Sequence, residues 1–156
     1  MVSANLIETI ELTRKTLRDN INALHSEAEK LVNEYWSEWK ERNKIEINTP
    51  HPSSELKRTY LGSYAPRMVV IGHGKKKTVH WYKFKPFKNR PPNHMSQKVD
   101  SKSGGYTKSC FLNHATWEWE MIESTENKLK PYRDLMEYYH VQYIELGRKL
   151  RHLNTN

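Results

Sequence analysis

RMVVIGHGKKKTVHWYKFKPF, residues 67–87, is the stretch whose reading decides the fold. Two apolar runs, Met68 to Ile71 and Val79 to Phe84, flank a turn in which Gly72 and Gly74 are free to take positive φ. That pattern predicts strand, turn, strand, with His73 and His80 facing each other across the hairpin. Lys75, Lys76, Lys77, Lys83, Lys85 and Lys88 are interleaved with His80, Trp81, Tyr82, Phe84 and Phe87. Cations beside aromatic faces suit a phosphate backbone with sugars or bases next to it.

The charge distribution sharpens that reading. Of a net charge of +8, the arms carry almost none: residues 1–45 hold 7 Lys/Arg and 8 Asp/Glu, and residues 111–156 hold 6 and 7. Residues 57–110 hold 13 Lys/Arg and 1 acid, Asp100. The excess therefore lies in one central region, as in a nucleic-acid footprint. Hydrophobic residues make up 36% of the chain, below the usual roughly 45–50% (Gly included), a deficit that long helices with exposed faces explain. No apolar run approaches the ~18 residues of a membrane span, and MVSANLIETIEL lacks the basic start of a secretory signal, so a cytoplasmic chain with no membrane partner is expected. Cys110, the single cysteine, excludes an intrachain disulfide and a multi-thiolate zinc site.

On either side of the basic region lies a helical arm. Ile7, Ile21, Ala28 and Tyr35 share one heptad position, and Ile10, Leu17, Leu24 and Leu31 the position three residues later, with Arg14 the one charged intruder. Asn5 and Glu8 have capping-box spacing at the start of this arm. Tyr35, Trp36 and Trp39 are expected to form a small core where the arm meets the central module, and Pro50 and Pro52 end the helix. In the second arm Tyr132, Met136, Tyr139, Tyr143, Leu146, Leu150 and Leu153 alternate steps of four and three. Asn113 or Thr116 is the expected cap, and Pro131 should kink that helix or begin a fresh one. The expected class is α+β: two long heptad-patterned helices, as an antiparallel helical hairpin, with an inserted small antiparallel sheet. One domain is expected, with a helix over 4–45, a basic β module over 56–112 that includes a flexible loop over 88–108, and a helix over 114–153 kinked near Pro131. A third strand is expected at Ser109 to Leu112, because a lone hairpin is marginal in water. In the competing arrangement either seam pairs with a second copy of the chain, as a homodimer.

Catalytic constellations are missing from the pattern. The eight histidines show no helical metal spacing, and Val69 and Lys76 break the phosphate-loop motif around Lys75. Phosphoryl transfer normally gathers carboxylates for magnesium. Glu118, Glu120, Glu123 and Glu126 read instead as a solvated helix face. The chain is accordingly read as non-enzymatic and without cofactor or metal.

Three stretches carry a family resemblance: Glu34-Tyr35-Trp36 with Trp39, His80-Trp81-Tyr82-Lys83-Phe84, and Trp117-Glu118-Trp119 leading into Glu126, Leu129, Pro131 and Arg133. In order and spacing the chain resembles the MobI proteins of conjugative plasmids and integrative conjugative elements. The resemblance implies an accessory mobilisation factor that acts at the origin of transfer with a relaxase or other relaxosome proteins and does not itself cut DNA. It assigns no contact residue. From charge and aromatic placement alone, the expected contacts to double-stranded DNA are Arg67, Lys75, Lys76, Lys77, Lys83, Lys85, Lys88 and Arg90, with Trp81 and Tyr82 packing or stacking. A coiled-coil adaptor for protein partners and an RNA-binding protein are the alternatives.

Overall fold

The computed structural model describes residues 3–51, 60–84, 96–103 and 105–155. Two long helices, α1 (Ala4–Asn48) and α2 (Glu118–Thr155), pack on a three-stranded antiparallel sheet of β1 (Tyr64–Ile71), β2 (Lys76–Phe84) and β3 (Ser96–Lys98), so the class is α+β. The strand order is β1-β2-β3. β1 and β2 form the predicted hairpin, longer than the apolar runs alone indicated, in a register that pairs Arg67 with His80 and Ile71 with Lys76. Tyr82 and Phe84 continue the ladder to Lys98 and Ser96 of β3.

Period-2 alternation sorts the side chains of β2. Val79 and Trp81 point inward and are fully buried, while His80 and Tyr82 face the other way and are half-buried. Trp81 meets Tyr35 and Phe111 edge-to-face at 5.1 and 5.4 Å between centroids. Trp36 and Trp39 pack on each other and on Phe84. The aromatic end of α1 is thus a core, as its crowding of several helix faces indicated. Leu17, Ile21, Ala28 and Tyr35 of the first arm and Met136 and Leu150 of the second are buried; Leu24, Leu31, Tyr139 and Tyr143 are half-buried.

Two carboxylates inside this core tie the elements together. Glu118, at the first turn of α2, is 0% exposed. Its Oε2 accepts hydrogen bonds from Trp39 Nε1 of α1 (3.0 Å) and from the backbone N–H groups of Ser63 (2.7 Å) and Tyr64 (2.8 Å), while Oε1 accepts one from Ala115 N (3.1 Å). Burial pushes its pKa up, and these donors offset only part of that rise. Glu126, two turns on and 6% exposed, accepts Trp81 Nε1 at 2.9 Å and a bidentate pair from Arg133 at 2.7 and 2.8 Å. The Arg133 Nε donates to Val79 O (2.9 Å), which fixes α2 to β2. The expectation of a solvated acidic face is therefore corrected for this pair. Glu118, Ile122, Glu126 and Leu129 share the inward helical face, whereas Glu120 and Glu123 are exposed.

Several local expectations differ from the structure. Ser3 is the N-cap of α1 and Asn5 lies in its first turn, so the Asn5–Glu8 capping box does not form. At the start of α2, Glu118 reaches back three residues to Ala115 N in the manner of a capping-box carboxylate. α2 runs as one helix through Pro131. The third strand is Ser96–Lys98, inside the stretch expected to be loop, and Lys108–Cys110 is a 3₁₀ turn in place of the strand expected at Ser109 to Leu112. Positive φ falls at Gly72 (71°) and at Lys75 (52°), not at Gly74. His73 lies in the turn, so it does not face His80. Among the described residues no helix is long and apolar enough to cross a membrane.

Truncating Glu118 would strand an indole N–H and three backbone N–H groups in the core. Glu118→Ala should lower unfolding free energy by more than about 3 kcal/mol in urea denaturation. Glu118→Gln, which keeps one acceptor oxygen, should cost about 1–2 kcal/mol. Gly62→Ala should also destabilise, because its Cβ would lie 2.6 Å from Trp39 Nε1 and 2.8 Å from Glu118 Oε2.

Candidate nucleic-acid interface

The two helices meet the sheet in a definite sense. Trp39, late in α1, bonds Glu118 at the start of α2, while Arg14, early in α1, donates its Nε to Tyr143 O late in α2 at 3.2 Å. Beyond the aromatic core the helices and the hairpin turn enclose a cleft of about 730 Å³. Arg14 and Arg18 of α1, Arg151 of α2, and Lys75 and Lys77 of the hairpin line it, together with His73, His140 and Tyr143. Among the described residues no Asp or Glu lines it.

Close backbone approach makes this convergence possible. A Cβ on Gly147 would lie 2.8 Å from an Arg14 guanidinium nitrogen, so glycine there admits the arginine against α2. At Gly74 a Cβ would lie 3.2 Å from Ile144 Cδ1 and 3.4 Å from the His140 ring, so this glycine serves the contact of turn and helix, not a positive φ. The Arg14 guanidinium carbon sits 4.0 Å from the Tyr143 ring centroid, and that of Arg18 4.8 Å. Lys77 Nζ donates to Asn22 Oδ1 at 2.6 Å. The Arg14 pKa is lowered by burial and then by repulsion from Arg18 and Arg151. Uncompensated positive charge of this kind is relieved by a bound anion.

The opposite face of the hairpin is different in kind. There Lys76 pairs with Glu137, Lys130 with Asp134 at 2.7 Å, and Arg133 with the buried Glu126. These three cations are neutralised within the molecule, so the cleft offers a stronger field to an external phosphate than they do.

The residues expected to contact nucleic acid thus separate. Lys75 and Lys77 come together in the cleft, Lys75 exposed at the turn. Lys76 faces α2 and its acid. Arg67 lies over Tyr82 (5.2 Å) and Phe84 (4.8 Å) on the outer face, where Tyr82 is half-buried, and Lys83 lies over the Tyr64 ring at 5.6 Å. Trp81 is corrected: at 0% exposure, with its N–H on Glu126, it belongs to the core and reaches no external partner. Lys85, Lys88 and Arg90 lie outside the described residues. Sequence reasoning missed Arg14, Arg18 and Arg151. The one signal was Arg14 itself, a cation in an otherwise apolar heptad seam.

Fold and site together define a class: an α+β protein with a cationic cleft at the end remote from its aromatic core. Among the described residues no group of three or more His, Cys, Asp and Glu side chains gathers as metal ligands would. The family model described as MobI protein matches residues 24–146; the chain belongs to the MobI family, and so to the mobilisation-related proteins. No curated protein and no solved structure matches it.

Burial moves the histidine at the sheet centre in a testable direction. His80 is pushed down from its ordinary 6.5 to about 4, by burial first and then by Lys98, Arg133 and Lys76. The unfolded chain takes up this proton near pH 6.5 and the folded chain only near pH 4. Stability is therefore whole above pH 6.5 and falls as pH drops through that window. Urea midpoints measured across it should decline with acid, and His80→Gln should flatten the decline; His25 and His140, lowered chiefly by burial, supply the remaining slope.

Proposed function

We propose that this protein is a non-catalytic DNA-binding accessory factor of mobilisation, cytoplasmic, that engages origin-of-transfer duplex DNA with its basic hairpin end and assists a relaxase that does the cutting. The observation that carries the reading is the concentration of positive charge at the hairpin end, where Lys75 at the exposed turn and Lys77 beside it are backed by the field of Arg14, Arg18 and Arg151 in the cleft. Family membership supports the setting, mobilisation, and the charge supports the ligand. In this reading the helices act as an antiparallel hairpin whose heptad faces brace each other and hold the cationic end open. Lys75, at an exposed turn, meets phosphates first; Arg67 and Tyr82 extend the contact along the outer face of the sheet.

Neutralising ~6 phosphates makes affinity fall on the order of a thousandfold between low and moderate salt. Replacing Lys75, Lys76 and Lys77 together by Ala should weaken duplex binding at least about tenfold at low salt and reduce the salt slope, with the fold retained, because the Lys76–Glu137 pair is partly exposed and such pairs contribute at most about 1 kcal/mol. Unchanged affinity at matched salt contradicts the reading.

A second reading, an adaptor for protein partners or a homodimer, draws on one observation. Leu135, Tyr138 and Val141 form an exposed apolar stripe along α2. A salt slope near zero in the duplex titration favours the adaptor, and displacement of the duplex by RNA at lower concentration favours an RNA ligand.

A further inference from the structure

The cleft differs from the rest of the basic surface in being recessed. Its volume of about 730 Å³ falls in the range of about 300–1,000 Å³ that houses small ligands. A duplex is read by convex elements that enter its grooves, the wider of them about 12 Å across, and does not itself enter a pocket of this size. Arg14 and Tyr143 are half-buried and Ile21 is buried at the floor. A ligand that reaches them has to be narrow.

The chemistry of the walls specifies the rest. Arg14 and Arg18 rest on the Tyr143 ring, and Arg14 is also tied to the Tyr143 carbonyl, so their forked donors are oriented before any ligand arrives. Guanidinium pairs of this kind take phosphate oxygens two at a time, and a guanidinium plane held on an aromatic ring also stacks an unpaired base. Arg151 and Lys77 supply further positive charge from two other elements. His140, whose pKa is lowered, is a neutral hydrogen-bonding group at neutral pH beside them and suits a sugar or a base edge.

We propose that the cleft seats one unpaired nucleotide of a single DNA strand, its phosphate held by Arg14, Arg18 and Arg151 and its base directed toward the Arg-covered Tyr143 and His140. This rests on the nucleic-acid reading above and narrows it: the outer hairpin surface meets duplex phosphates, whereas the cleft selects strand that is already unpaired.

The test compares a short fluorescent oligothymidylate with the same strand paired to oligoadenylate, by anisotropy at one salt concentration, on the full chain. Arg18→Ala and Arg151→Ala, both at exposed positions, are combined, and their fold is checked by thermal melting. The double variant should lose about tenfold or more in affinity for the single strand and less than about threefold for the duplex. For the wild type, thymidine monophosphate should displace the oligothymidylate at a concentration where inorganic phosphate at equal ionic strength does not. Arg18→Lys, which keeps the charge but not the fork, should lose affinity for the single strand alone. Equal losses for single strand and duplex, or equal displacement by the nucleotide and by phosphate, overturn the proposal and leave a plain phosphate surface. Wild-type binding to duplex without binding to single strand overturns the proposal while the broader DNA reading stands; wild-type binding to neither overturns both.

Discussion

A buried carboxylate that accepts a tryptophan N–H is the interaction on which the rest of this structure depends. It occurs twice. Glu118 takes the indole of Trp39 and Glu126 takes that of Trp81, so a single face of α2 fixes both α1 and β2. Each carboxylate is costly to bury, and each is made tolerable by its full set of donors: backbone N–H groups at Ser63, Tyr64 and Ala115 for Glu118, and the Arg133 fork for Glu126. Among the described residues no buried side-chain nitrogen or oxygen lacks a hydrogen-bond partner. A network closed to this degree holds one arrangement of helices and sheet.

That arrangement divides the molecule by chemistry. At one end, aromatic rings pack around the buried Glu118 and around the Glu126–Arg133 pair. At the other, where the same two helices continue past the sheet, arginines from both helices and lysines from the turn face a common space that no acid among the described residues lines. Of the residues that carry the likeness to the MobI proteins, Trp39, Trp81, Glu118, Glu126, Leu129 and Arg133 belong to the first end. The core residues of that likeness explain how the chain folds, and the family match over residues 24–146 spans Lys75, Lys77, His140 and Tyr143 of the cleft as well.

The sequence made the hairpin legible because its signals are local: β-branched runs, a Gly-containing turn and strict alternation through Val79 and Trp81. The helical arms were legible for the same reason. β3 was not, since Ser-Gln-Lys has no apolar pattern and is a strand only because Tyr82 to Phe84 offer it a ladder. Nor were the buried acids: Glu118 and Glu126 acquire their meaning from donors up to 79 positions away, and a helical carboxylate is ordinarily solvated. The basic site was half legible. Lys75 and Lys77 were visible in the charge run, but Arg14, Arg18 and Arg151 join them only through the approach that Gly74 and Gly147 permit. Trp81 was misassigned as a contact because a β2 aromatic beside lysines reads alike whether it points at solvent or at a carboxylate.

Hydroxyl-radical footprinting with and without origin-of-transfer DNA that carries an unpaired segment tests most directly the claim that the fold is held at one end and the ligand bound at the other. It reads side chains, and both ends carry reactive ones. The account predicts protection of His73, His140 and Tyr143 when DNA is present, with Trp36 and Trp117 at the core end unchanged. Protection centred on Trp36 and Trp117, with His140 and Tyr143 unaffected, would contradict it.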